Sequence, residues 1–167
     1  MQSMRSLSFT VVILWVVFWV ISANADNLKA AIATAHPLAT DAGFEIFAKG
    51  GNVFDAAVAV SAALAVVEPA GSGLGGGGYW LLHRAKDHKE IMIDGREKAP
   101  LAAHKAMFLD KNGKVIPLVS LDGVLATAIP GLPAGLVHLS EKYGQLPLTE
   151  SLAPAIRYAK NGFAVTE

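Results

Sequence analysis

Apolar residues follow a helical rhythm in the stretch that begins at Pro37. They return every three or four positions, which predicts a helix that Pro37 opens and Lys49-Gly50-Gly51 stops. A second helix starts at Asn52 or at Phe54-Asp55, with the Asp55 carboxylate at its positive end. Its residues 56–67 are small and apolar on every side, which indicates a core helix rather than a membrane helix.

Strand-like runs occupy the middle of the chain. Residues 79–84 and 90–94 are rich in apolar, aromatic and β-branched residues, which predicts two strands. A further apolar run, residues 30–35, suggests a short buried strand. About three strands form a sheet that is too small to bury the predicted helices. We therefore expect the sequence to be cut from a longer one.

The second half of the chain alternates turns and helices. Residues 101–110 predict a short helix, which a turn at Asp110-Lys111-Asn112-Gly113 follows. Pro130-Gly131-Leu132-Pro133 predicts a sharp turn that opens a helix capped by Gly144. Thr149 is the expected N-cap of a last helix, which ends at Asn161-Gly162.

Residues 1–25 have the pattern of a secretory signal peptide. Arg5 supplies the charge, residues 7–21 are the apolar region, and Ala23-Asn24-Ala25 offers small residues for cleavage before Asp26. The uninterrupted apolar run, residues 11–21, is shorter than the roughly 20 residues of a bilayer span. We therefore expect residues 26–167 to be exported, and the lack of disulfides in an exported protein suits a bacterial periplasm. An uncleaved membrane anchor is the alternative.

Composition excludes several classes of function. The chain has no cysteine, which rules out disulfides, thiolate metal sites and a cysteine nucleophile. Its formal net charge of zero provides no basic face for nucleic acid. The five histidines lack the spacing of metal ligands, so the sequence implies neither a metal nor another cofactor. They are His36, His83, His88, His104 and His138.

A glycine run is the most unusual local feature. Six of the eight residues 71–78 are glycine, which allows positive φ angles and close approach of a backbone or a ligand. The run matches the dinucleotide-binding fingerprint, as in Gly71-x-Gly73-x-x-Gly76. That fingerprint requires a strand before the glycines and a helix after them, whereas the order predicted here is reversed. We therefore do not expect a nucleotide site.

Arg96 is the candidate ligand-binding residue. It lies in Asp94-Gly95-Arg96-Glu97-Lys98-Ala99-Pro100, at the end of the second predicted strand. Its guanidinium either pairs with Asp94 or Glu97 at the surface, or is fixed and partly enclosed so that its fork can hold a carboxylate. The position favours the second interpretation. Ser61, Ser72 and Thr127 lack the Gly-x-Ser-x-Gly context of an exposed nucleophile.

Several ordered motifs, from about residue 29 to the end, resemble the N-terminal region of γ-glutamyltransferases (γ-glutamyl transpeptidases). Together they are highly specific for that family. They are Ala39-Thr40-x-x-Gly43, Gly50-Gly51-Asn52-x-x-Asp55-Ala56-Ala57-Val58-Ala59, Ser72-Gly73-Leu74-Gly75-Gly76-Gly77, Asp94-Gly95-Arg96-Glu97-Lys98-Ala99-Pro100, Pro130-Gly131-x-Pro133-Ala134-Gly135 and Lys142-Tyr143-Gly144…Pro154-Ala155-Ile156…Gly162-Phe163.

The resemblance implies an α+β layered fold, part of the four-layer αββα sandwich of N-terminal-nucleophile hydrolases. It implies an exported zymogen that cleaves itself into a large and a small subunit. The new N-terminal threonine of the small subunit then attacks the γ-glutamyl bond of glutathione, and the acyl group passes to water, an amino acid or a peptide. By this resemblance Arg96 holds the α-carboxylate of the γ-glutamyl group, and the glycine run has a structural role.

The chain departs from the family in one respect. In family members the catalytic threonine lies far downstream of the motifs matched here, and this sequence contains no counterpart of that segment. Thr149 and Thr166 correspond to large-subunit positions and are not nucleophile candidates. Residues 26–167 would then be the N-terminal part of the large subunit, inactive without the rest of that subunit and the small subunit. An acylase of the same superfamily, of the cephalosporin type, and a non-catalytic remnant or binding module are the alternatives.

Overall fold

The computed structural model describes residues 30–165. The predicted signal peptide and Thr166 lie outside these residues. The chain divides into residues 1–31 and one compact unit from Ile32 onward. The elements of the described part are α1 (Pro37–Ala48), α2 (Val53–Val67), β1 (Gly78–Arg84), β2 (Lys89–Gly95), a 3-10 turn (Val124–Ala126), α3 (Leu132–Tyr143) and α4 (Leu148–Asn161).

Local hydrogen bonds begin the first two helices where the sequence predicts them. His36 precedes α1, and its Nδ1 accepts a hydrogen bond from the Leu38 N–H at 3.2 Å. Asn52 caps α2, and its side chain accepts from the backbone N–H groups of Phe54 and Asp55. The Asp55 carboxylate accepts from the Asn52 N–H in return, which completes a capping box. These contacts confirm the predicted start of α2.

Helix α2 is the centre of the core. It packs against α1, α3 and α4. Its buried positions carry small side chains, which let the neighbouring helices approach closely. The prediction of a buried, small-residue helix is therefore confirmed. The buried residues of α2 are Asp55, Ala56, Val58, Ala59, Ala62, Ala63 and Val67.

Strands β1 and β2 form an antiparallel hairpin in the register Gly78↔Gly95. Trp80 and Leu82 point towards the helices, and the Trp80 Nε1–H donates to Ser61 Oγ of α2 at 3.4 Å. On the other face Leu81 and Met92 are opposite each other and are 77% and 65% exposed. In the described region, helices therefore cover one face of the sheet and leave an apolar second face open.

Two predicted elements are wrong. Residues 30–34 form no strand, because no described strand lies alongside to complete a ladder. Residues 101–110 are turns rather than a helix, and Leu109 instead forms an isolated bridge with Val115. The predicted turn at residues 110–113 is confirmed and lies between the two bridge residues. The Asp110 carboxylate accepts hydrogen bonds from the N–H groups of Asn112 and Lys114 at 2.8 and 2.9 Å. These bonds from a side chain to the following backbone favour a turn at this position over a helix.

The ends of the last two helices differ slightly from the prediction. Helix α3 ends before Gly144, as expected, and α4 ends before Gly162. Helix α4 begins at Leu148 after Pro147, without a side-chain cap, so the assignment of Thr149 as N-cap is wrong. Pro147 has a φ of −57°, which prepares the chain for a helical turn without a capping hydroxyl. No helix within residues 30–165 has the length and apolarity needed to cross a bilayer.

Candidate substrate-binding site

Three backbone segments meet beside Arg96. The N–H groups of Gly131 and Leu132 both donate to the Gly76 carbonyl at 3.1 Å. Lys98 and Ile129 exchange two backbone hydrogen bonds, of 3.1 and 2.8 Å. The end of the glycine run, the segment after β2 and the segment before α3 are thus joined into one backbone junction around the candidate residue.

Two glycines make this junction possible. A methyl group at Gly77 would lie 2.7 Å from the Gly95 carbonyl oxygen and 2.9 Å from Arg96 Cα. A methyl group at Gly131 would overlap the same carbonyl oxygen and lie 2.5 Å from that of Arg96. Both positions therefore exclude any side chain.

The rest of the glycine run is different. The residues with positive φ lie outside residues 71–78, so the expected left-handed backbone is absent from the run. A Cβ at Gly73 or Gly75 would meet nothing within 4 Å. Helix α2 precedes the run and strand β1 follows it. This is the reverse of the strand–glycine–helix order that a dinucleotide site requires. Close packing is thus confined to the last residues of the run.

The Arg96 backbone is fixed while its side chain is exposed. Its N–H donates to Asp94 Oδ1 at 2.9 Å. Its side chain is 66% exposed, and Nε forms an ion pair with Glu97 Oε2 at 3.0 Å. The expectation of a partly enclosed side chain is therefore wrong for this chain, and the surface ion pair is present. Helix α3 lies beside this end of β2 but leaves the Arg96 side chain exposed.

A groove lies next to Arg96, between β2 and α3. Its volume is about 630 Å³, and its floor includes Ile91 and Ile93 of β2. Arg96 and Lys98 bring two cations to its rim, against the single carboxylate of Asp94. An open groove with an apolar floor and a cationic rim suits a small anionic ligand that also has an aliphatic part.

The hydroxyl candidates are not activated. Ser61 accepts from Trp80, and Thr127 Oγ1 donates to the Gly123 carbonyl at 3.5 Å. Thr149 is exposed in the first turn of α4. Ser72 is half-buried in the glycine run, with no hydrogen bond to a histidine. Within residues 30–165 the structure therefore offers a place to bind a ligand and no nucleophile–base pair.

The histidines are structural or exposed. His36 is buried, and its ring packs edge-on against Phe163. The other four are exposed. No group of three histidine, aspartate or glutamate side chains converges as a metal site in the part of the chain that the structure describes.

Sequence reasoning missed the role of Asp55 in joining two distant segments. Its carboxylate is fully buried and accepts from the N–H groups of Gln145 and Leu146, at 2.9 to 3.3 Å. Asn52 supports it by donating from Nδ2 to the Tyr143 carbonyl at 2.7 Å. The capping-box spacing revealed the cap, but nothing in the sequence indicated these partners about 90 residues away.

Comparison with known proteins agrees with the resemblance. Residues 39–167 match the family model described as gamma-glutamyltranspeptidase. The glutathione hydrolase proenzyme of Bacillus subtilis strain 168 is 42% identical over 135 residues, which are 80% of this chain and 23% of that protein. The chain thus spans about a quarter of the length of this curated relative.

Two solved structures give the fold. The Helicobacter pylori gamma-glutamyltranspeptidase aligns with a TM-score of 0.78 and 46% identity over 84% of this chain and 40% of that chain. A cephalosporin acylase from Bacillus halodurans aligns with a TM-score of 0.66 and 32% identity, over 85% of this chain and 28% of the acylase chain. The predicted α+β layered fold, a partial αββα sandwich of the N-terminal-nucleophile hydrolases, is confirmed. The chain belongs to the gamma-glutamyltranspeptidase family of enzymes.

Proposed function

We propose that this chain is the donor-binding part of a γ-glutamyltransferase. In this proposal the enzyme cleaves the γ-glutamyl bond of glutathione and related compounds, and passes the γ-glutamyl group to water, an amino acid or a peptide. Arg96 holds the α-carboxylate of that group. The position of Arg96 at the rim of the groove, on a fixed backbone, is the observation that carries the proposal.

The chemistry of the guanidinium supports this role. A planar guanidinium makes two parallel hydrogen bonds to a carboxylate, which fix both the position and the orientation of the ligand. The aliphatic part of a γ-glutamyl group suits the floor formed by Ile91 and Ile93. Because the γ-glutamyl group is short, holding its α-carboxylate firmly also places its γ-carbonyl correctly for attack.

The remaining machinery would come from other parts of the proenzyme. We propose that the rest of the large subunit and the small subunit supply the threonine nucleophile and the groups that bind the α-amine. The lack of an activated hydroxyl within residues 30–165 supports this division. Residues 26–167 alone are then inactive.

The test replaces Arg96 in a full-length, self-cleaved enzyme that carries this chain. Arg96→Lys keeps the charge and loses the fork, so the KM for a γ-glutamyl anilide rises at least about tenfold, roughly one charge-assisted hydrogen bond. Self-cleavage, followed by gel electrophoresis, remains intact. Lys98→Gln is the matched control, because it removes a neighbouring exposed cation of the same rim and should change KM little.

Two outcomes would contradict the proposal. An unchanged KM in Arg96→Lys would remove Arg96 from the donor site. Equal effects of Arg96→Lys and Lys98→Gln would indicate a general attraction of anions rather than a specific carboxylate contact.

The acylase alternative is less well supported. The acylase structure is 32% identical to this chain, against 46% for the transpeptidase structure. The two functions separate by substrate: we expect the full-length enzyme to hydrolyse a γ-glutamyl anilide in preference to a glutaryl anilide. Preference for the glutaryl compound would reverse the assignment.

We propose further that the enzyme is exported through residues 1–25 and acts in the periplasm. The charged, apolar and small-residue order of that segment supports export. N-terminal sequencing of the purified protein is expected to begin at Asp26. A mature protein that still begins with Met1 would contradict cleavage.

A further inference from the structure

The end of the glycine run contacts a residue that has no role in the function proposed so far. Glu97 extends its carboxylate over Gly76 and Gly77. Its Oε1 lies 3.4 Å from the point that a Cβ of Gly76 would occupy, and its Oε2 lies 2.8 Å from the corresponding point at Gly77. A methyl group at Gly77 would therefore collide with this carboxylate as well as with the Gly95 carbonyl.

The Glu97 carboxylate depends on Arg96 in this position. The Glu97 side chain is only 25% exposed, and its Oε2 is buried without a well-aligned hydrogen bond. The Arg96 Nε at 3.0 Å is its charged partner among the described residues. Because a buried carboxylate oxygen is costly without compensation, the ion pair is held more firmly than one between two exposed side chains.

The contact uses one side of the guanidinium. Glu97 pairs with Nε, while Nη1 and Nη2 make no hydrogen bond to any residue of the described region. These two nitrogens carry four of the five N–H donors of the guanidinium fork, and these donors are available for a ligand carboxylate. The arrangement restrains the rotation of Arg96 and leaves its outer donors available.

We propose that Gly77 and Glu97 form a positioning unit for Arg96. Gly77 leaves the space for the Glu97 carboxylate, and this carboxylate orients the guanidinium towards the groove. The proposal rests on the proposed function, since it assigns Arg96 to the α-carboxylate of the donor. It adds a role in substrate binding to the backbone packing that already requires glycine at Gly77, and it makes Glu97 a positioning residue.

The test compares two inhibitors in the full-length enzyme. Glu97→Gln keeps the shape of the side chain and removes its charge. We expect the inhibition constant of L-glutamate to rise about tenfold, comparable with one charged hydrogen bond. The constant for 4-aminobutyrate, which lacks the α-carboxylate, stays unchanged.

This selectivity separates positioning from general stability. A merely structural Glu97 would weaken both inhibitors alike, and that result would overturn the proposal. If Arg96→Lys weakens glutamate while Glu97→Gln does not, the positioning unit is refuted and the proposed function stands. If neither variant affects glutamate, both fail.

A second pair of variants tests the glycines. Gly77→Ala places a methyl group against the Glu97 carboxylate, and Gly75→Ala is the matched control because a Cβ there meets nothing within 4 Å. We expect Gly77→Ala to weaken glutamate selectively and Gly75→Ala to have no effect. Equal binding of glutamate by the two variants would exclude Gly77 from the unit. If Gly77→Ala does not fold, the inhibitor comparison with Glu97→Gln decides the proposal.

Discussion

At the scale of single residues, two carboxylates set the framework of this chain in different ways. Asp55 is buried and satisfies backbone N–H groups at the start of α2 and in the loop between α3 and α4. Glu97 is partly buried and pairs with the side chain that we assign to the substrate. Asp55 therefore contributes to stability, whereas the contribution of Glu97 is to orientation.

We predict that Asp55→Asn destabilises the fold. An amide presents N–H groups to donors that need an acceptor, so at least one buried backbone N–H loses its partner, at a cost of about 2–3 kcal/mol. Thermal unfolding of the full-length enzyme measures the effect. Asp41→Asn, at an exposed position of α1, is the control and should leave the melting temperature within about one degree. Equal melting temperatures for both variants would contradict the role of Asp55.

The candidate site was only partly predictable from sequence. The type and position of Arg96 indicated an anion-binding residue, since its segment stood out as charged beside a glycine run. Its exposure and its pairing with Glu97 depend on how closely three backbones meet at Gly77 and Gly131, which no spacing reveals. The contact between Asp55 and Gln145 was not predictable either, because the two residues are 90 positions apart in sequence.

At the scale of elements, an ion-pair network joins α1 to α4. The Arg157 guanidinium donates two hydrogen bonds to the Glu45 carboxylate, at 2.6 and 3.3 Å. Lys49 lies 3.1 Å from Glu45 and 3.5 Å from Glu150. The hydrogen bonds from Arg157 hold the pKa of Glu45 below its ordinary value of 4.5, with a further contribution from Lys49 and against the opposing effect of burial.

The lowered pKa predicts acid sensitivity. Because the pKa of Glu45 is lower in the folded state than in the unfolded one, its contribution to stability is complete above pH 4.5 and is lost as the pH falls through the lowered value. Glu45→Gln should therefore reduce the loss of stability below pH 4.5. Denaturant unfolding at a series of pH values measures the free energy of unfolding of both proteins and so this pH dependence.

The control for this prediction is Glu141→Gln, an exposed glutamate of α3 without an ion pair in the part of the chain that the structure describes. It should leave the pH dependence unchanged. Identical acid profiles for wild type and Glu45→Gln would show that the network does not contribute.

Element prediction succeeded where local signals were strong and unopposed. Asn52 and Asp55 began α2, and its run of alanine and valine continued the helix to Val67. It failed where the outcome depended on distant partners. Residues 30–35 have a strand-like composition without a described neighbour, and in residues 101–110 turn-forming contacts prevailed over helix propensity.

At the scale of the whole molecule, the outer face of the hairpin dominates the expected behaviour. Tyr79, Leu81 and Met92 are exposed there and form an apolar patch that spans the two strands. Such a sheet face is usually packed against another layer. We therefore expect residues 26–167 alone to aggregate or to unfold without a sharp transition.

We predict that the double variant Leu81→Lys, Met92→Lys improves the behaviour of residues 26–167 alone but impairs the full-length enzyme. In residues 26–167 alone the charges reduce dye binding and aggregation, because the apolar surface is interrupted. In the full-length enzyme the same charges prevent packing of the next layer and lower the yield of self-cleaved protein. His83→Lys, an exposed polar position on the same face, is the control. A sharp cooperative transition of wild-type residues 26–167 would contradict this account.

A structure of the full-length, self-cleaved enzyme with L-glutamate bound tests the central claim most directly. The account predicts that the α-carboxylate accepts two hydrogen bonds from the Arg96 guanidinium, at about 2.8 Å, while Nε keeps its contact with Glu97. A glutamate whose α-carboxylate is held by other residues, with Arg96 still directed to solvent, would contradict the assignment of this chain to the donor site.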